Sequence, residues 1–210
     1  MSVSRFHSMQ TPYRDKPKPP DLNLMIGNSN IERCNVHKFL GVHIDDRLNF
    51  GTHTDKLSAK ISRGIGVIRK MNHIVPKEVL RQLYFAFIYS NFTYAITTYG
   101  SASQNQLKRL TNLINKSLRI VTDSQRITPE VCKREQIFDF PMTFKYFCSI
   151  KMYQVISMNQ HNYFAEKLAS FQINHNHSTR SATSHNLSIP IYRSTKCQKS
   201  FPFVGTKFWN

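Results

Sequence analysis

Between Asn49 and Thr122 the apolar residues fall in three helical stripes separated by polar faces. Leu57, Ile61, Ile65 and Ile68 recur at steps of three and four, so they share one face of a first helix. Pro76 stands where the first turn of a second helix should be. That helix carries Val79, Leu80, Leu83, Tyr84, Phe87 and Ile88, is apolar nearly all round, and is expected to be buried on every side. Leu107, Leu110, Ile114, Leu118 and Val121 form the stripe of a third. A further helix is expected from about Met142 to Met158, with Phe144, Phe147, Met152 and Val155 inward.

Upstream of the helices the pattern is different. Proline-rich Lys16 to Pro20 predicts an extended connector. Leu22 to Ile26 reads as a strand, Gly27 to Asn30 as a turn, and Ile31 to Cys34 as the returning strand of a hairpin. Phe39 to Ile44 reads as one further strand, with Gly41 marking a bulge or a close backbone approach. Beyond Phe171 periodicity dissolves into His, Asn, Ser and Thr, until the aromatic end Phe201 to Trp209, which must dock or stay exposed. The fold class expected is α+β and predominantly helical. A short N-terminal β element is followed by a helical bundle and an irregular tail, divided at 1–50, 51–123, 124–170 and 171–210.

Charge changes the picture most. Lys and Arg total 29 against 12 Asp and Glu, a net +17 with an isoelectric point near 10.0. Such a surface repels itself unless a polyanion is near, so nucleic acid is the expected partner, with an anionic membrane second. The cations are patterned: Lys56, Lys60, Arg63 and Lys70 oppose the stripe of the first helix, and Lys108, Lys116 and Arg119, with Asn112, that of the third. No acid stands between Leu107 and Thr122. Solvated helix faces ordinarily mix signs, so two one-signed faces read as phosphate tracks that position a duplex without reading its bases.

Other chemistries find little support. Two-metal catalysis needs converging carboxylates, and the only adjacent acids are Asp45-Asp46 in V-H-I-D-D-R-L. A turn or a helix start explains them better. His175 and His177, with His185 and Cys197 beyond, lack the paired spacing of a zinc site, and Cys34/His37 has no second pair. Cys132 and Cys148 complete a set of four without a C-x-x-C, so reduced thiols and an intracellular setting are expected. No apolar leader is recognisable, and the longest uncharged run, from Leu83 up to Lys108, is too polar for a membrane span. No phosphate-cradling glycine loop occurs, and Gly64 and Gly66 are expected to permit close helix packing.

The order of segments nonetheless resembles a known family. K-F-L-G-V-H-I-D-D-R-L-N-F from Lys38, H-T-D-K-L-S-A-K-I-S-R-G-I-G-V-I-R-K-M from His53, and V-P-K-E-V-L-R-Q-L-Y-F-A-F-I-Y-S-N-F-T-Y from Val75 come first. L-K-R-L-T-N-L-I-N-K-S-L-R-I-V from Leu107, S-T-R at Ser178 and the closing G-T-K-F-W-N follow. Together with S-R-F-H-S-M-Q-T-P-Y-R-D-K near the start, this series resembles the C-terminal part of the reverse transcriptases of LINE-type, non-LTR retrotransposons. The resemblance implies that Phe39, Leu40, Gly41 and Val42 match the primer-grip-like strand. The helices from about Asp55 to Asp123 match the thumb that closes on the template–primer duplex. It further implies that the catalytic aspartates, and the magnesium they hold, belong to a palm that this chain lacks, so catalytic residues, metal and cofactor are expected to be absent. The chain departs from the family at Tyr99-Gly100, where Trp-Gly is frequent, and at Ile114-Asn115-Lys116, where a more basic segment is usual. The expected function is binding of an RNA–DNA or DNA duplex backbone without turnover, with a palm domain supplied in cis or in trans. The rival expectation is a non-enzymatic transposon remnant or a repurposed basic interaction protein.

Overall fold

A computed structural model describes residues 25–30, 34–158, 166, 187–189 and 191–210. Two compact units divide after Asn35. In the first, β1 (Met25–Ile26) pairs antiparallel with β2 (Ser29–Asn30). The hairpin is tighter than its sequence suggests: only Gly27 and Asn28 make the turn, and Gly27 takes a positive φ of 58°.

The second unit starts with another hairpin, β3 (Val36–Phe39) and β4 (Val42–Asp45), in the register Phe39↔Val42 and Val36↔Asp45. The single strand expected over Phe39 to Ile44 is therefore broken at its middle. Leu40 and Gly41 both adopt left-handed backbone, φ 44° and 82°, as a two-residue turn between right-twisted strands requires. Gly41 suits that turn and Leu40 does not, which is why the pattern Phe-Leu-Gly-Val gave no hairpin signal.

Among the described residues that follow, the regular structure is mostly helical: α1 (Gly51–Met71), α2 (Lys77–Tyr84), a π-helical turn (Phe85–Tyr89), α3 (Ser90–Thr93) and α4 (Ile96–Tyr99). They are followed by α5 (Gln104–Thr122), α6 (Pro129–Glu135), α7 (Phe140–Ser157), α8 (Thr195–Gln198) and α9 (Phe201–Trp209). The main core joins the three predicted stripes. Ile61 and Ile68 of α1, Leu80, Tyr84 and Ile88 of the second helical run, and Leu110, Ile114 and Leu118 of α5 are all buried in it. Each such aliphatic side chain contributes roughly 2 kcal/mol by leaving water.

The second run is not buried all round. Val79 and Phe87 are 38% and 45% exposed, while Leu80, Tyr84, Ile88 and Phe92 face inward. Pro76 precedes the first residue of α2 as its N-cap rather than lying within the helix. The π turn shifts the register in mid-run, and Ser90 Oγ and Asn91 Nδ2 donate to the carbonyls of Ala86 and Phe87. Gly64 packs there as expected: a Cβ would lie 3.2 Å from Phe87 O and 3.3 Å from Ile88 Cγ1. Gly66 does not, having open space beside it.

Thr128 caps α6 by accepting from Val131 N–H, and Asp139 caps α7 by accepting from Met142 N–H. Met152 and Val155 are buried as expected, and Phe144 and Phe147 pack against the main core half-buried. The aromatic end is not irregular. It is helix α9, which lies on α7 with Gly205 against Met152, where a Cβ would meet Sδ at 2.5 Å. Asn210 closes the arrangement, its side chain accepting from Leu187 N–H and donating to Leu187 O. His175, His177, His185 and Ser178 to Arg180 lie outside the described residues. No helix among the described residues is long and apolar enough to cross a membrane.

A basic concavity on the third long helix

The α5 backbone runs without proline or glycine from Gln104 to Thr122, and burial of its apolar stripe fixes which way its cations point. At its end Asp123 takes left-handed backbone, φ 52°, and Ser124 N–H returns to Arg119 O at 3.2 Å. That reversal carries Gln125, Arg126 and Ile127 to the polar side of α5, where Ile127 packs against the core. Together they form an open concavity of about 940 Å³ lined by Lys108, Arg109, Asn112, Asn115, Lys116, Arg119 and Arg126, among others.

Five cations and no carboxylate line this surface. Arg109 reaches toward Asp55 at 3.7 Å, but both side chains are mostly exposed, so the pair is weak and screened. Lys108, Lys116, Arg119 and Arg126 make no ion pair among the described residues. Among the described residues, Asn115 Oδ1 is buried without a hydrogen-bond partner. The surface therefore concentrates positive charge with side-chain amide donors between the cations, the chemistry that suits phosphate oxygens.

The predicted cations divide between surfaces. Lys108, Lys116 and Arg119 come together here, and Arg109 and Arg126 join them. Arg126 was beyond the reach of helical spacing, because the left-handed turn at Asp123 and not periodicity brings it back. Lys60, Arg63 and Lys70 are exposed on α1 and do not line the concavity. Lys56 is engaged elsewhere, with Nζ 2.8 Å from His43 Nε2.

Phe39, Leu40, Gly41 and Val42 straddle the β3–β4 turn. Phe39 and Leu40 are 58% and 74% exposed, whereas Val42 is buried. Tyr94 donates its hydroxyl to Leu40 O at 2.5 Å, and its ring lies 3.5 Å from where a Gly41 Cβ would be, an ordinary contact. The positive φ of the turn, and not a bulge or a close backbone approach, is what calls for glycine there. Asp45 ends β4 and closes the turn after it: its Oδ1 accepts from Arg47 N–H at 3.1 Å and Asn49 N–H at 2.8 Å, upstream of α1. No group of three or more His, Cys, Asp or Glu is placed to hold a metal among the described residues. Tyr99 is buried, donates to Phe92 O, and has its phenol pushed up by burial. Its neighbour Gly100 leaves room for the Phe144 ring.

Comparison with protein-family models, with curated proteins and with solved structures found no match.

Proposed function

We propose that the chain is the C-terminal part of a non-LTR retrotransposon reverse transcriptase, and that it binds template–primer duplex by its phosphates without catalysing synthesis. The observation that carries this reading is the one-signed α5 concavity, in which five Lys and Arg side chains meet no lining carboxylate. A surface of that kind gains affinity by releasing counterions from a nucleic-acid backbone. The order of segments from Lys38 to Asn210 supports the family assignment, and the exposed Phe39–Leu40 tip suits contact with a primer end.

On this reading Asp45-Asp46 plays no part in metal chemistry, because Asp45 is committed to its own turn. Magnesium and the catalytic carboxylates would come from a palm in cis or in trans. The purified chain should retain an RNA–DNA hybrid on a native gel and incorporate no nucleotide. Nucleotide incorporation by this chain alone would overturn the non-catalytic assignment. Failure to bind any duplex at low salt would favour the rival, a remnant or a basic protein with another partner.

A further inference from the structure

Where β4 meets α1, two histidines fasten the second hairpin to the helix. His43 lies on β4 opposite Lys38 of β3, and His53 is buried on α1 beside Tyr99 of α4, with ring centroids 4.8 Å apart. Lys56 Nζ stands 2.8 Å from His43 Nε2. An ammonium only donates, so Nε2 is the acceptor and the His43 ring carries its proton on Nδ1. The backbone N–H of His43 points at His53 Nδ1, a long contact of 3.5 Å. That nitrogen is therefore unprotonated, and the His53 proton is on Nε2. Both rings are neutral, and each uses its lone pair to bridge the hairpin to the helix.

We propose that His43 and His53 form an acid-sensitive latch, holding the β3–β4 hairpin on α1 only while both imidazoles are neutral.

A proton on either ring converts its acceptor into a donor and breaks the bridge it makes. It also places a charge against charges of the same sign. On α1, His43 faces Lys56 at hydrogen-bonding distance, and on β3 it faces Lys38 across the strand pair. His53 faces the His43 ring at 6.3 Å and the Tyr99 ring, whose hydroxyl is committed to Phe92 O. Among the described residues neither ring has a carboxylate partner: Asp45 Oδ1 caps the turn after β4, and Asp55 reaches toward Arg109. His43 Nδ1 and His53 Nε2 are buried and make no hydrogen bond among the described residues.

The shifts agree in sign. Burial, then Lys56 and Lys38, lowers His43, and burial, then His43, lowers His53, both from the ordinary 6.5. A released hairpin then binds more protons than a latched one. The latch is complete above about pH 6.5 and is lost as pH falls from there through the lowered folded values. Release would free the hairpin that presents Phe39 and Leu40, so acid would disorder that tip while leaving the α5 surface in place.

Hydrogen exchange on the full chain, corrected for intrinsic rate and compared at about pH 7.5 and about pH 5.5, tests this. Protection of 36–45 should fall by up to about tenfold per pH unit for each proton taken up, while protection of α5 stays constant. In the double variant His43→Gln, His53→Gln the hairpin should lose this dependence. Constant wild-type protection would overturn the latch, as would a parallel fall in α5 or an unchanged fall in the double variant. Should the variant fail to fold, imidazole ¹⁵N shifts of the wild type decide. His43 and His53 should remain neutral, protonated at Nδ1 and Nε2, to below about pH 6.5, and charging of either ring at or above that pH would overturn the proposal.

Discussion

The Tyr94 hydroxyl donates to the carbonyl of Leu40, tying the chain that follows the π turn to the tip of a hairpin 54 residues earlier. The bond holds a leucine in left-handed backbone, where a branched apolar side chain gains nothing from the local geometry. Leu40 is also the more exposed of the two large apolar residues of the tip. Local preference and local burial both argue against it, so what keeps it there is the contact behind it and, on the proposed reading, the contact it presents outward.

Leu40→Asn creates an Asn-Gly pair, the preferred filling for this turn, and should stabilise the hairpin by roughly 1 kcal/mol. Exchange protection of 36–45 would report the gain. If the exposed tip contacts a primer end, the same variant should bind a recessed-end hybrid more weakly despite its greater stability. Equal or tighter binding would remove Leu40 from the interface.

Tyr94→Phe removes the other half of the relationship. Loss of one partly solvated hydrogen bond costs about 1 kcal/mol, felt locally. Hairpin protection should drop while the thermal midpoint of the helices, read at 222 nm, stays nearly unchanged.

The two glycines of R-G-I-G-V should behave oppositely. Gly66→Ala gains helix propensity of about 1 kcal/mol with nothing to collide with, so it should raise the melting temperature. Gly64→Ala pushes a methyl against the Phe87 carbonyl and Ile88, and should be less stable than Gly66→Ala by about 1 to 2 kcal/mol. Chemical denaturation of the pair separates the two effects from any change in the unfolded chain.

Thiol reactivity should follow burial. Cys148 is buried, and its thiol is pushed up to about 12, so almost none is thiolate near neutral pH. Burial also pushes Cys132 up. Alkylation of the native chain followed by mass spectrometry should modify the exposed Cys34 and Cys197 quickly and leave the other two until denaturant is added.

The helical part of the fold was legible because burial and a 3.6-residue period coincide in it. The stripes on α1 and α5 are buried residue for residue as spacing predicts. Legibility failed where a single backbone conformation decides. Left-handed Leu40 turned one expected strand into two, and the π turn left Phe87 outside a run that reads as apolar all round. α9 was missed because its helical character comes with docking on α7 and with Gly205 fitting against Met152. Among candidate cations, periodicity identified the α5 side of the concavity, while Arg126 needed the reversal at Asp123 and Lys56 was drawn away by a histidine 13 residues earlier.

Phosphate binding by the α5 concavity should show itself in the salt dependence of hybrid binding. Affinity for an RNA–DNA hybrid should be titrated against salt for the wild type and for the Lys116→Glu, Arg119→Glu variant. If all five cations engage phosphates, log affinity should fall against log salt with a slope of about −4.5, and the variant's slope should be shallower by about 2. A wild-type slope near zero, or a variant that keeps the wild-type slope and affinity while still folded, would contradict it.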